Sequence, residues 1–141
     1  QCGYSMVNRA EEENMKWAME NGIGIETHSS LANGILTGAI REVPTYPEDD
    51  IRNLYPYPHL KEPMFSKCMK LLETLDKLSG ERNVPIAQIA LNWSTQKDYV
   101  TSALCGVRNV KEATENCKCT EWELTKEEMA MLDKAIEDNL G

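Results

Sequence analysis

Apolar positions recur at helical spacing in several separate stretches of the chain, and short β-branched runs lie between them. Met15, Ala18 and Met19 share one face of a helix predicted from about Ala10 to Asn21, with Asn8 as its cap and Gly22 as its stop. Glu11 to Glu13 suit the positive end of its dipole. Ile23 to His28 then reads as a short strand. A strongly amphipathic helix follows at Met64 to Ser79, turning Phe65, Cys68, Met69, Leu72, Leu75 and Leu78 inward, with Gly80 closing it. Pro85 opens the next helix, whose stripe is Ile86, Ile89, Ala90 and Trp93. Tyr99 to Cys105 is too short and too rich in apolar and β-branched residues for a helix between polar flanks, so it predicts a buried strand. Gly106 breaks that run, and Asn109 caps a further helix with Val110 and Ala113 inward. Thr125-Lys-Glu-Glu128 is a capping box, and Met129, Leu132, Ala135 and Ile136 continue it at helical spacing.

This order alternates strands with helices, which predicts an α/β protein with parallel strands and helices outside. Two stretches stand apart from the pattern. Ser29 to Gly38 is a small-residue loop in which Gly34 and Gly38 let the backbone approach a ligand closely. Arg41 to Pro63 carries Pro44, Pro47, Pro56, Pro58 and Pro63, which deny it a long helix and mark it as a functional loop or lid.

Composition narrows the classes. One domain is expected for 141 residues, of which 41% are hydrophobic and 27% charged. A formal net charge of -8 argues against sequence-blind binding to nucleic acid or to an anionic membrane surface. No stretch is long and apolar enough to span a bilayer. The five cysteines make an odd count with no framework spacing, which favours reduced thiols and a cytoplasmic home. Cys117-Lys-Cys119 lacks the spacer of common zinc knuckles and has no second pair, so no metal site is expected.

Candidate chemistry gathers after the second strand. The helix that Asn109 begins offers unpaired N–H groups to an anion, and Arg108 adds a planar cationic fork suited to phosphate. The plain alternative is an ordinary strand-turn-helix with a solvated arginine. The loop from Ser29 to Gly38 can present hydroxyls and main-chain N–H groups to a pyrophosphate, although it matches neither common glycine-rich nucleotide motif. Arg52 can reach a phosphate or form a local ion pair with Asp49 or Glu48.

Taken in order, Gln1-x-x-Tyr4-Ser5-x-x-Asn8-Arg9, His28-Ser-Ser-Leu-Ala-Asn-Gly-Ile-Leu-Thr-Gly38, Asp49-Asp-x-Arg52, Ala87-Gln-Ile-Ala-Leu-Asn-Trp93 and Gly106-x-Arg-Asn-x-x-x-Ala-x-Glu-Asn116 resemble the C-terminal portion of the aldo-keto reductases. The branch that includes the potassium-channel β subunits is the most similar. That resemblance implies a partial (β/α)8 TIM barrel, roughly its C-terminal half, with the site on the C-terminal face of the strands. It also implies an NADP cofactor and, in the whole enzyme, reduction of an aldehyde or ketone. By the same resemblance Gln1 touches the nicotinamide carboxamide and Tyr4 stacks on the ring. Ser29, Leu31, Ala32 and Asn33 line the pyrophosphate, with Arg52 in reach of a phosphate, and Gly106, Arg108, Glu112, Glu115 and Asn116 surround the adenosine and its 2'-phosphate.

Three positions depart from the family's pattern. Ser30 replaces a proline, Ala39 stands where many members carry lysine, and Glu112 replaces a common glutamine. A carboxylate beside a 2'-phosphate is unfavourable by charge, so Glu112 is expected to lower NADP affinity or to tilt the site toward NAD. The family's catalytic Asp, Tyr, Lys and His lie before the position that matches Gln1, and no residue here is assigned to those roles. The chain alone is therefore expected to bind weakly or not at all, not to turn over, and to need a complement: an N-terminal half, another copy of itself, or a rearranged packing. The competing expectations are a non-catalytic relic or regulatory module that keeps a nucleotide-binding or oligomer-forming surface, and a helical assembly that binds nothing.

Overall fold

The structure is a computed structural model that describes residues 1–141. Three short strands, β1 (Cys2–Gly3), β2 (Glu26–His28) and β3 (Ser102–Ala103), form one sheet in the order β1-β2-β3. Both pairings are parallel, with Cys2 opposite Thr27 and Thr27 opposite Ala103. The chain is thus an α/β protein with a small parallel sheet. Parallel neighbours require crossovers. The first crossover is helix α1 (Glu12–Glu20); the second is the long excursion through α2 (Ile51–Leu54), α3 (Met64–Arg82) and α4 (Ile86–Thr95). Helices α5 (Val110–Cys117) and α6 (Lys126–Leu140) follow β3.

Both predicted strands exist but are shorter than their apolar runs. Lys97 O takes the amide of Val100, and the Thr101 hydroxyl takes the amide of Ile25, so these residues enter the sheet through turns and side-chain contacts. Pairing begins only at Glu26 and Ser102.

The core is built by α3, α4 and α6. Leu71, Leu72, Leu75 and Leu78 of α3 meet Ile89 and Trp93 of α4 and Leu132 and Ile136 of α6 in one buried cluster. Helix α4 departs from a one-sided stripe, because it is buried from Ile86 to Ser94. Its two buried amides hold the chain after β3: Gln88 Nε2 donates to Glu115 O at 2.8 Å, and Asn92 Nδ2 donates to Cys119 O at 3.0 Å and Trp122 O at 2.7 Å, while the buried Ser94 hydroxyl has no partner. Buried amides of this kind fix irregular backbone in place.

Several boundaries differ from the sequence reading. Gly80 lies inside α3, which ends at Asn83 in a left-handed conformation (φ 53°, ψ 44°). Asn tolerates that region better than most residues, so it replaces glycine as the helix stop. Asn8 does not cap α1, which begins after Glu11; its side chain instead accepts weakly from the amide of Ala10. Met19 and Val110 face solvent rather than the core.

The capping box is formed as expected, with Thr125 Oγ1 accepting from the Glu128 amide at 3.2 Å and Glu128 accepting from the Thr125 amide at 2.7 Å. Glu128 has a second task, since Arg82 grips its carboxylate in a forked pair that ties α3 to α6. The hydrogen bonds from Arg82, with help from the Thr125 amide, hold the Glu128 carboxyl below the usual range. A carboxyl with a depressed native pKa stabilises the fold above its unfolded value and loses that contribution as pH falls through the native one. Glu128→Gln should therefore cost about 1 kcal/mol at neutral pH and flatten the fall of the urea midpoint below about pH 4.3. An acid limb unchanged by the substitution would remove this pair from the account.

Candidate functional site

The carboxyl ends of β2 and β3 open side by side, and the two segments that leave them form the walls of a cleft of about 810 Å³. In α/β sheets this is where ligands settle, and the volume suits a cofactor-sized molecule.

The wall after β2 is the small-residue loop, which is folded rather than open. Ala32–Thr37 make a tight helical turn in which Asn33 (φ 55°) and Gly34 (φ 99°) are left-handed. Gly38 takes a left-handed conformation (φ 75°) that strains any other residue, and an added Cβ would also displace the side-chain ends of Ile86 and Arg41, 2.7 Å and 2.9 Å away. Ser30, buried, donates from its hydroxyl to Leu104 O at 3.2 Å, which ties this wall to the one after β3. Asn33 Oδ1 accepts from His59 Nε2 at 2.9 Å, linking the loop to the proline-rich segment. Burial lowers the His59 pKa, which keeps the ring neutral at pH 7.

The wall after β3 runs from Leu104 to Arg108 into α5. Asn109 caps the helix as predicted, its Oδ1 accepting from the Glu112 amide at 2.9 Å. Glu112 then folds back: its carboxylate accepts from the Arg108 amide at 2.9 Å and from Arg108 Nη2 at 2.7 Å. Those hydrogen bonds from Arg108 hold the Glu112 carboxyl below the ordinary carboxylate range. An internal anion thus rests where the free donors and the guanidinium meet.

The proline-rich segment supplies the third wall. Arg52 pairs with Asp50, not with Asp49 or Glu48, because Asp50 caps α2 and already accepts the Arg52 amide at 2.9 Å. That pair holds the Asp50 carboxyl at about 2. The guanidinium lies 3.8 Å from the centre of the Tyr46 ring. The Tyr46 hydroxyl is buried without a hydrogen-bond partner, although the residue lines the cleft.

Ser29, Leu31, Asn33, Arg52, Gly106, Arg108, Glu112, Glu115 and Asn116 all line this one cleft. Gln1 and Ala32 do not. Gln1 is exposed just before β1, and Ala32 is buried with its amide bonded to Ser29 O at 2.8 Å. Tyr4 is the clear correction. Its ring is fully buried, stacked on Trp93 with centroids 5.5 Å apart and 13° between planes, so it has no face to give a nicotinamide. Its hydroxyl lies 2.9 Å from that of Tyr99, which donates to Glu12 at 2.7 Å. Burial pushes the Tyr4 phenol up to about 12. Sequence reasoning missed Pro44, Tyr46, Ala87 and Leu104 as lining residues. The alternation of tyrosine and proline around Arg52 was the available signal for Tyr46.

The donor set of the cleft fits an anionic, hydroxyl-rich ligand: two guanidinium groups, the Asn116 amide, the Ser29 hydroxyl and the unpartnered phenol of Tyr46. No group of three or more histidine, cysteine or acidic side chains is arranged to hold a metal ion, and no helix is long and apolar enough to cross a membrane.

The chain is similar to known proteins over most of its length. The chain is 27% identical over 140 residues to the aldo-keto reductase YhdN of Bacillus subtilis (strain 168), a match covering 98% of this chain and 42% of that protein. It is 28% identical over 121 residues to a probable voltage-gated potassium channel subunit beta of Arabidopsis thaliana, covering 84% of this chain and 37% of that one. The fold is shared with the glycerol dehydrogenase AKR11B4 from Gluconobacter oxydans at a TM-score of 0.85 and 24% identity, covering 98% of this chain and 42% of that one. The chain therefore spans about two fifths of the length of these relatives. The pattern of the Aldo/keto reductase family matches residues 1–137, and the chain belongs to that family.

Proposed function

We propose that the cleft holds the pyrophosphate and adenosine of a nicotinamide dinucleotide, NADP or NAD, and that the chain is the cofactor-side part of an NADP-dependent aldo-keto reductase. In this reading the parallel sheet is a segment of a (β/α)8 barrel, roughly its C-terminal half. One observation carries it: residues from three separate segments, around Ser29, Arg52 and Arg108, line one cleft at the carboxyl ends of parallel strands.

Arg52 and Arg108 would meet the phosphates, while Ser29 and Asn33 would bond the bridging oxygens. Gly106, with open space beside its Cα, would let the adenosine approach the backbone. Gln1 stays in the proposal as a contact to the carboxamide, and Tyr4 does not. The bound dinucleotide supplies hydride for an aldehyde or ketone, and the protein supplies orientation. No residue of this chain is matched to the family's catalytic Asp, Tyr, Lys or His, so the chain alone should not turn over. A complementary N-terminal half, or another copy of the chain, would cover the edges that β1 and β3 present. A cytoplasmic location rests on the odd count of five cysteines without framework spacing.

Titrating the chain with NADPH and following the nucleotide's fluorescence tests the reading. Weak but saturable binding is expected, and Arg108→Ala should weaken NADPH by about fivefold and NADH by less, since the guanidinium is already half satisfied by Glu112. No change at any concentration would end the dinucleotide assignment. Equal losses for both nucleotides would remove the 2'-phosphate role.

The open edges also favour a second reading, a non-catalytic nucleotide-binding or oligomer-forming module. Dinucleotide binding that survives without turnover, even beside a tetrad-bearing half, would select it.

A further inference from the structure

A serine and a histidine meet where β2 ends. Thr27 is fully buried, so the alternation of a strand turns its neighbour His28 to the opposite face of the sheet, where it is exposed. There its ring lies beside Gly3 of β1, whose missing side chain leaves the room: a Cβ on Gly3 would stand 3.3 Å from His28 Cε1. Ser29 follows with φ 59°, a left-handed conformation that a residue with a side chain seldom holds. That turn brings its hydroxyl back toward the residue before it, and Ser29 Oγ lies 3.0 Å from His28 Nδ1. Neighbouring side chains on an extended strand point to opposite faces and could not meet in this way. The next two amides are free as well. Neither the Ser30 nor the Leu31 N–H is donated to any group of the chain, although Ser30 is buried and its hydroxyl is anchored on Leu104 O. A buried donor without a partner marks a place for a ligand.

We propose that Ser29 and His28 form an acyl-transfer pair that cleaves esters of short acyl groups, with Ser29 as nucleophile and His28 as base. A serine on a strained turn directly after a strand, followed by a free amide, is an arrangement that exposes a hydroxyl to an ester carbonyl. In the first step Ser29 Oγ bonds to the carbonyl carbon while its proton passes to His28 Nδ1. The Ser30 and Leu31 amides are the donors available to the charge that builds on the carbonyl oxygen. The bond from that carbon to the leaving oxygen then breaks, the proton on Nδ1 goes to the departing alcohol, and the acyl group stays on Ser29. In the second step a water gives a proton to Nδ1 as its oxygen bonds to the acyl carbon. The bond to Oγ breaks, Oγ recovers the proton, and a carboxylic acid leaves. Glu26, exposed on the same face of β2 as His28, adds a negative charge that favours the imidazolium of both steps. Leu104 and Val107, 41% and 49% exposed, line the cleft together with Ser29 and give a short acyl chain an apolar place. The pyrophosphate of a dinucleotide would cover the same hydroxyl, so the activity belongs to the chain without bound nucleotide.

The probe is p-nitrophenyl acetate, added to the 141-residue chain without any dinucleotide, so this test stands or falls apart from the cofactor reading. Release of p-nitrophenolate should leave a chain heavier by one acetyl group, and fragmentation spectra should place that group on Ser29. Ser29→Gly accepts the left-handed turn without strain and should lower the release rate by more than about tenfold, and His28→Gln should slow acetylation of Ser29 by more than about tenfold, the low end for loss of a positioned base. Acetyl groups confined to lysine or cysteine side chains would overturn the proposal, as would a smaller loss in either variant.

Discussion

Replacing Trp93 with Ala should lower the unfolding free energy by about 3–5 kcal/mol, the range for truncating a buried aromatic. Trp93 is 1% exposed and joins the sheet to the helices. Its ring stacks on Tyr4, its Nε1 donates to Asp133 Oδ1 at 2.6 Å, and Lys97 Nζ lies 4.7 Å from its ring centre. Removing it opens a cavity and unseats the partly buried Tyr4–Tyr99–Glu12 chain, so packing and polar losses add. Trp93→Phe keeps the stack and loses only the N–H, and should cost about 1 kcal/mol. Urea unfolding followed by circular dichroism measures both. A loss below about 1 kcal/mol for the alanine variant would mean that the Tyr4 ring is not held by Trp93. Tyr4 would then be free to face a cofactor, which the packing denies.

Local chemistry was the legible part of this fold. Asn109 and Thr125 cap where their spacing to Glu112 and Glu128 says they should, because a cap depends on residues within a single turn. The inward stripe of α3 was readable for the same reason. Helix α4 was not, since a helix buried on all sides shows no contrast between faces, and Gln88 and Asn92 look solvated until the loops they hold are in place. Tyr4 failed through a related cause. Its position after a strand suits either a ligand or a neighbouring helix, and Trp93, far along the chain, decides between them. The cleft was legible only as separate lining segments, and what unites them depends on contacts such as that of Ser30 with Leu104. The sign of the charge was harder to read. Arg108 and Glu112 have the spacing of a helical ion pair, but Arg108 precedes the helix, so the pair forms through the backbone amide as well.

That pair makes Glu112→Gln the most informative change in the cleft. The substitution should raise NADPH affinity by about tenfold, the scale of removing a like charge a few ångströms from a phosphate in a partly solvated site, while leaving NADH within about twofold. The helix start should survive it, because Asn109 accepts from the Glu112 amide and not from its side chain. Glutamine can still accept from the Arg108 amide, so the loop keeps its shape while the guanidinium loses its internal counter-ion. Lowering the pH will not imitate the substitution. Arg108 holds the Glu112 carboxyl below the ordinary range, so the group stays ionised above about pH 5 and the preference stays flat from there to neutrality. Parallel NADPH and NADH titrations at two pH values read the outcome. If the variant binds both nucleotides as the parent does, the 2'-phosphate does not lie at the start of α5, and the preference for one dinucleotide over the other must be set by Arg52 and its stacked tyrosine instead.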